Sequence, residues 1–558
     1  MHIFIDKFGG IIPRAPEHGL DITQATKAHN VRLRRNRIEA WREPMELKST
    51  GFSTRSFYLH GCCPLFFKTV AHVANVSPDW GRLFVTGNAD YPQIMEVDKD
   101  CVPTFSRLGV PAPTSVLHAS AKENCSRASD ARAYVYTYVN KWGEESAPSK
   151  VSNILTVDDG EGVTLTGFAQ PPEGYNITTI NLYRAVTALR APNVKQQEYS
   201  THFLWVGAFS ATTSQYIDYT LMTEVGPVLE TEKTHMPPTG LRNIVAFEDT
   251  VRLCGFVNNK LYFSEFFQVH NWPVKYELTL DDNIVHLGVS HGRLYVTTDS
   301  SPYVIDPTVS GSDQCASVRR FSAALPDIGC GYPHSSLATP YGFTYASSAG
   351  VVLLRPDASF QILTAPWFSP EDWKQLMPHT ARFGIYQTYL FIITDKASFV
   401  LNLDRVTYGD LAGCELSTIS DKPIDLVTSN TGELLFLENG KVWAWDMGDK
   451  YRPYFWESRE LVGQDGIKSS ITLGAARQND ARGVSWAPVS AKVHTDDTHF
   501  TVISPLQNPA YERQVMGEDW FRLPRMGRNL WYKIRFEGTR PVDFVAMGTS
   551  NFTLNQGK

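Results

Sequence analysis

From Leu241 to about Met447 the chain keeps returning to one device, a glycine, asparagine or threonine turn followed at once by a short apolar and aromatic run. The instances are Asn259-Lys-Leu-Tyr-Phe-Ser264, Gly292-Arg-Leu-Tyr-Val-Thr297, Gly350-Val-Val-Leu-Leu354, Thr388-Tyr-Leu-Phe-Ile-Ile393, Gly432-Glu-Leu-Leu-Phe-Leu437 and Gly440-Lys-Val-Trp-Ala-Trp445. Runs this short, bounded by turn residues, read as strands rather than helices. Their recurrence at roughly 30–60 residues, with the last two forming one hairpin, is the spacing of β-propeller blades. A chain of 558 residues is too long for one core, and 13 Trp, 24 Tyr and 30 Phe beside 39 Gly and 33 Pro combine strand formers with turn formers. The fold class expected is all-β and multidomain.

The flanking segments fill out that expectation. Residues 1–50 read as an N-terminal arm. In it Asp21 or Thr23 caps a short helix through Ala25 and Ala28, and Val31-Arg-Leu-Arg34 follows as a strand. Residues 51–130 read as a β-meander with strands at 55–59, 65–70 and 82–86, contributing a further blade or a platform. Residues 131–236 carry the pattern of an immunoglobulin or fibronectin-like sandwich. There Ala133-Tyr-Val-Tyr-Thr-Tyr-Val139 alternates strictly, and further strands fall near 163–166, 177–183, 202–206 and 216–219. The propeller takes 237–460. Residues 461–558 return to alternation at 490–494, 531–536 and 542–546 and read as a terminal antiparallel β-unit.

Charge and cysteine usage exclude several classes. With 52 Lys and Arg against 58 Asp and Glu, the net charge of −6 argues against a surface that grips nucleic acid throughout. No run of about 18 apolar residues appears, and MHIFIDKFGG lacks both a basic and an apolar signal region, so neither a membrane anchor nor secretory export is expected. The eight cysteines show no C-x-x-C spacing and read as reduced, buried thiols, Cys62-Cys63 among them. Basic residues do cluster once, at Arg32, Arg34, Arg35, Arg37 and Arg42. They read either as a solvated face beside a strand or as a contact surface for an acidic partner.

Motifs that would carry chemistry are weak. Gly288-Val-Ser-His-Gly292 matches G-x-S-x-G, but a nucleophile elbow needs a strand-to-helix turn, and here Arg293-Leu-Tyr-Val-Thr-Thr298 follows as a strand. The expected structure is a hairpin turn between blade strands. His60 with Cys62 and Cys63 has no second pair to complete a zinc site. Asp158-Asp-Gly-Glu-Gly162 lacks the alternating acids of a calcium loop and reads as a solvated hairpin turn. No catalytic residue, metal or cofactor is assigned. Paired carboxylates for glycoside hydrolysis need only meet in space, so a hydrolase stays among the alternatives.

Several stretches resemble the tail nozzle, or tail tubular B, structural proteins of short-tailed bacteriophages. They are Phe8-Gly-Gly10 with Pro13-Arg14, then Ala25, Ala28, Asn30 and Leu33, and Trp41-Arg-Glu-Pro44. In the middle of the chain they are Tyr134-Val-Tyr-Thr-Tyr138 through Trp142-Gly-Glu-Glu-Ser-Ala-Pro-Ser149 and the run Ile177–Arg184. Leu261-Tyr-Phe-Ser-Glu265 with His270-Asn-Trp-Pro273, and Val296-Thr-Thr-Asp-Ser-Ser-Pro-Tyr303, are similar to the propeller strands of that family. The resemblance covers most of the chain and rests on order and spacing. It implies a non-enzymatic virion component, assembled in the host cytoplasm as a ring, commonly a hexamer. Such a ring surrounds the DNA exit channel, docks on the portal's adaptor ring and meets tail fibres. DNA then passes through a lumen without specific binding, and an acidic or small polar wall is expected. The arginine cluster becomes the candidate adaptor contact. The competing readings are a receptor- or carbohydrate-binding propeller adhesin and, behind it, a glycan hydrolase.

Overall fold

The computed structural model describes residues 2–34, 36–50, 53–77, 80–121, 130–158, 160–188, 202–306, 317–320, 329–330, 332, 335–357, 359–406, 411, 413–429, 431–462, 473–478, 499–503, 511–514, 519–522 and 531–548. The chain divides into two compact units. One is made of Met1–Lys68, Arg293–Ile305 and Val318–Lys558, and the other of Thr69–Gly292 and Asp306–Ser317. The fold is all-β and of propeller type, with an inserted sandwich. Four four-stranded antiparallel sheets, each wholly within one unit, are propeller blades, and a fifth blade, the antiparallel strands of 382–418, forms one end of a ten-stranded sheet.

Two blades lie in the 69–292 unit. The first runs His72–Ala74, Arg82–Thr86, Gln93–Val97 and Pro103–Arg107, and the second Arg242–Phe247, Arg252–Val257, Lys260–Phe263 and Leu278–Thr279. Phe84, Ile94, Leu241, Leu253, Val269 and Trp272 form their shared core. Between them in sequence stands the sandwich. One sheet holds His118–Ser120, Val163–Thr166 and Gln215–Asp218, and the other Leu155–Val157, Asp130–Asn140, Ile177–Ala188 and Leu204–Ser210. Tyr134, Tyr136, Tyr138, Leu165, Ile180 and Leu182 fill the space between them. The tyrosines of 133–139 face this core, while Val135 on the opposite face packs with Tyr183 and Leu229, so the strand is covered on both sides.

Three blades lie in the other unit, at 336–362, 382–418 and 425–444. In the first two of these blades middle strands are buried along their whole length, as in Val351–Leu354, Tyr389–Ile393 and Ser398–Asn402. Burial on both faces is why these strands read as continuous apolar runs. Outer strands differ, and Met45–Ser49, which completes the 425–444 blade by pairing with Lys441–Ala444, is exposed at every residue. Asn439 and Gly440, both with left-handed backbone (φ +52° and +71°), turn the last hairpin of that blade.

The N-terminal arm is woven into this unit. His2–Ile5 pairs with Val542–Gly548, and Ala25–His29 lies between Glu415–Thr418 and Tyr454–Ser458, which in turn pairs with Trp531–Gly538. The helix expected at residues 21–28 is thus a strand. Asp21 accepts from Thr23 N and Oγ1, both at 2.9 Å, in a local turn rather than a helix cap. A bulge between Ala25 and Lys27 puts Ala25 and Ala28 both inward, three residues apart, which imitates a helical period. The single α-helix among the described residues is Pro370–Gln375, capped by Ser369 and Asp372 in a reciprocal pair.

Other expectations shift as well. The strands at 56–60 and 63–67 form their own hairpin in one unit, while Arg82–Thr86 belongs to a blade of the other, so 51–130 is not one meander. The 158–162 loop joins strands of the two different sandwich sheets and is not a hairpin turn. Cys63 is in a disulfide, as is Cys101, and Cys62 is exposed, which corrects the reading of uniformly buried, reduced thiols. The strand expected at 490–494 lies outside the described residues.

Candidate functional site

The arginine cluster does not form one patch. Arg32, on the strand Val31–Arg34, is turned into the unit: Nη1 stands 3.3 Å from Asp446 Oδ2, and Nη2 donates to Gln387 Oε1 at 2.7 Å. Its guanidinium lies 4.7 Å from the Trp41 ring and 5.4 Å from Tyr389. Burial works against its charge, but Tyr389, Asp446 and Glu39 outweigh that and raise its pKa. Arg32 is a structural clamp, already paired within the chain. Arg34 is exposed and sits directly opposite Arg37 across the hairpin. Arg42 is exposed, stacks 5.5 Å from the Tyr451 ring, and gives its backbone N–H to Asp446 Oδ1 at 2.7 Å. Arg35 lies outside the described residues.

Two stretches that carry the family resemblance meet in the other unit. Glu144, from Trp142-Gly-Glu-Glu, pairs with Arg82 of the first blade at 2.7 Å, and His270 of the His270-Asn-Trp-Pro stretch is 3.8 Å from the same carboxylate. The Arg82 guanidinium also lies 4.7 Å from Trp80 and 5.0 Å from Trp142. All three side chains are about nine-tenths buried. Desolvation, with Arg82 nearby, lowers the His270 pKa against the pull of Glu144, so the imidazole is neutral at neutral pH. The neighbouring Glu145 accepts from Tyr183 Oη at 2.7 Å and Asn181 Nδ2 at 3.1 Å. Glu144 thus joins sandwich to blade, while Glu145 ties strands of the sandwich to each other.

Beside them runs a serine ladder. Ser146, Ser149 and Ser152 donate their backbone N–H to Tyr138, Tyr136 and Tyr134 carbonyls, each at 2.9 Å. In return the three tyrosine amides donate to the serine hydroxyls at 2.9, 3.2 and 3.0 Å. The segment closes one edge of the strand Asp130–Asn140 with a period of three, which neither a helix nor a strand pattern reveals. The S-x-x-S-x-x-S spacing is the signal that would have found it.

In the unit holding the arm, Gly9 and Gly10 line a cavity of about 360 Å³ with Lys7, Arg405 and Glu415. A Cβ on Gly10 would lie 2.2 Å from the Leu416 carbonyl, so glycine is required for the close approach that lets Ile11 N–H reach Leu416 O at 2.9 Å. Burial raises the Glu415 carboxyl to about 7 against the hydrogen bond from Asn402. The G-x-S-x-G match is a turn: Ser290 ends the strand Ile284–Ser290, and His291 and Gly292 are left-handed (φ +52° and +70°) before Arg293–Thr298 begins. Ser290 Oγ lies 2.9 Å from its sequence neighbour's Nδ1. Among the described residues no group of three or more His, Cys, Asp or Glu is placed to hold a metal, and no helix is long and apolar enough to cross a membrane.

No protein-family model and no curated protein matches the sequence. Among solved structures, the chain is similar to Saccharomyces cerevisiae Sqt1 at 8% identity and TM-score 0.28, over 73% of this chain and 98% of that one. Kluyveromyces lactis Hsv2 follows at 8% identity and TM-score 0.24, over 55% and 92%. PorZ of Porphyromonas gingivalis, a surface component of the type-IX secretion system, matches at 8% identity and TM-score 0.22, over 77% and 44%. Scores this low superimpose little of the chain, and the architecture stands on its own strand pairings.

Proposed function

We propose that this chain is a structural, non-enzymatic component of a bacteriophage tail. In this reading it is a nozzle-type subunit forming a ring, as a hexamer, around the DNA exit channel between the portal's adaptor ring and the tail fibres. The observation that carries the reading is where the resembling stretches fall. Gly9-Gly10 seats the arm against Leu416, Trp142–Ser149 closes a sandwich edge, and Glu144 and His270 tie sandwich to blade. All are spent on joints that stiffen a scaffold. The exposed Arg34 opposite Arg37 supports an adaptor contact, because like charges facing across a hairpin cost up to about 1 kcal/mol and an acidic partner relieves that.

Imaging of the purified full chain by negative-stain microscopy, with its mass in solution, tests the proposal. A six-fold ring with a central hole is expected; a monomer or trimer without a hole refutes it. A second reading, a carbohydrate-binding tail adhesin, is favoured by one surface feature. The exposed Arg107 guanidinium is stacked 4.0 Å from the Tyr91 ring and 5.6 Å from Tyr175, an aromatic platform of the kind sugars use. Glycan binding without a channel would select that reading.

A further inference from the structure

Three consecutive blades of the arm-bearing unit place equivalent turns around one wedge of about 400 Å³. The turns are those joining the first and second strands of each blade. Pro340 comes from the 336–362 blade, Tyr386 and Gln387 from the 382–418 blade, and Thr431 and Glu433 from the 425–444 blade, with Met447 at the rim. The volume is in the range of small-ligand pockets, about 300–1,000 Å³. Two turn tips are held in left-handed backbone, Gln387 at φ +55° and Gly432 at +83°. For a glutamine that conformation is uncommon, and Arg32, bonded to its amide oxygen at 2.7 Å, fixes it there. Tyr386 is anchored in turn by its hydroxyl, which donates to Asp446 at 3.2 Å.

The chemistry of the lining selects a ligand class by elimination. Among the described residues no Lys, Arg or His lines the wedge, so an anion finds no countercharge there and meets Glu433. A cation would rest on that single exposed carboxylate, and exposed pairs contribute only about 0–1 kcal/mol. A wholly apolar ligand would strip water from the Gln387 amide nitrogen and the Glu433 carboxylate at about 1–3 kcal/mol for each group left unpaired, while the Thr431 hydroxyl keeps its partner Ser429 Oγ at 2.7 Å. A neutral polyhydroxyl ring meets both demands: its C–H face covers Tyr386 and Met447, which is 42% exposed, and its hydroxyls pair with the turn side chains. We propose that this wedge is a saccharide-binding site for a neutral sugar of one or two rings. The site deepens the adhesin reading, yet is independent of ring symmetry. A hexameric ring that binds sugar retains it, and a monomer that binds none loses it while the symmetry result stands on its own.

Saturation-transfer NMR on the full chain, with glucose, galactose and N-acetylglucosamine as probes and argininamide and citrate as charged comparators, tests the site. At least one neutral sugar should give a saturable signal in the millimolar range, and neither charged probe should. The double substitution Thr431→Val with Glu433→Ala, both at exposed turn positions, should weaken it about tenfold with the thermal midpoint unchanged. Failure of all three sugars, stronger binding of argininamide or citrate, or sugar binding indifferent to the double substitution would overturn the proposal. Met447→Asp provides an independent check: it should abolish binding by removing the apolar rim, and retention of wild-type affinity would equally refute the site.

Discussion

The serine ladder makes the most direct claim about what holds the sandwich together, and Ser146→Ala isolates it. Ser146 is fully buried, and its hydroxyl accepts from Tyr138 N–H at 2.9 Å while donating to Ala147 O at 2.7 Å. On the other side the strand is satisfied by Ile177–Ala188, with Tyr138 opposite Ile180. Alanine therefore removes the acceptor of an amide that no water reaches. A buried amide left unpaired costs about 1–3 kcal/mol. Ala147 O also loses its donor, but it lies nearer solvent, where water replaces the bond and adds little to that cost. In a chain of two units a single unfolding free energy is poorly defined, so local opening is the better readout.

Hydrogen exchange by mass spectrometry on the peptide spanning 130–140 supplies it. At 1.4 kcal/mol per tenfold, the loss corresponds to exchange faster by about 5- to 150-fold. Ser149→Ala should act similarly on Tyr136, because its hydroxyl accepts there at 3.2 Å. The control is Ser120→Ala, an exposed residue of the same sandwich whose hydroxyl reaches Thr164 O at 3.4 Å; its exchange should match the wild type. Equal exchange in Ser146→Ala and Ser120→Ala would refute the reasoning, since it would mean that the strand edge is held by the backbone pairs alone.

Four further substitutions have defined outcomes. Arg32→Ala leaves Asp446 with Tyr386 and the Arg42 amide but strips the stack on Trp41, and should cost about 2–4 kcal/mol in the denaturant transition of the arm-bearing unit; Arg34→Glu, which replaces repulsion from Arg37 by attraction, should be neutral or stabilising by up to about 1 kcal/mol. Gly10→Ala forces its Cβ against Leu416 O and should destabilise by about 1–3 kcal/mol, seen as earlier proteolysis of the arm. Burial raises Glu415 from 4.5 to about 7 and Asp425 from 3.8 to about 6. An acid whose folded pKa is raised keeps its proton in the folded state while the unfolded chain releases it. The contribution of these two groups to stability is then greatest below about pH 4 and falls as pH rises toward 7. Glu415→Gln should flatten the upper part of that decline in thermal melts between pH 5 and 7.5, and an unchanged slope would remove Glu415 from the account.

How much of this was legible depends on which faces a strand buries. Val351–Leu354 and Tyr389–Ile393 are covered on both sides, so their apolar runs announced blades directly. Met45–Ser49, exposed throughout, and the mostly exposed Pro103–Arg107 left no such trace, and both complete blades. The misread arm helix has a specific cause. One bulge converts a period of two into an apparent period of three, and only pairing with Tyr454–Ser458, far away in sequence, reveals which period operates. The serine ladder escaped for the converse reason, because its period of three belongs to hydroxyls answering strand amides and not to apolar burial.

The arginine cluster shows why adjacency in sequence is a poor guide to a surface. Arg32 and Arg34 alternate with Val31 and Leu33 on one strand and project to the same side of it, yet Trp41 and Tyr389 cover only the first. The positive charge available to a partner is thereby reduced. Arg32 is neutralised by Asp446, Arg42 leans on Tyr451, and Arg34 with the half-buried Arg37 carries the exposed charge of the described hairpin. An acidic partner meeting this hairpin gains by relieving repulsion between those two, about 1 kcal/mol, and little from exposed ion pairs. A contact of that strength positions a subunit without holding it. If the chain assembles as a ring, the ring must therefore be held by its subunit-to-subunit interfaces, with the arginine hairpin setting its orientation on the adaptor.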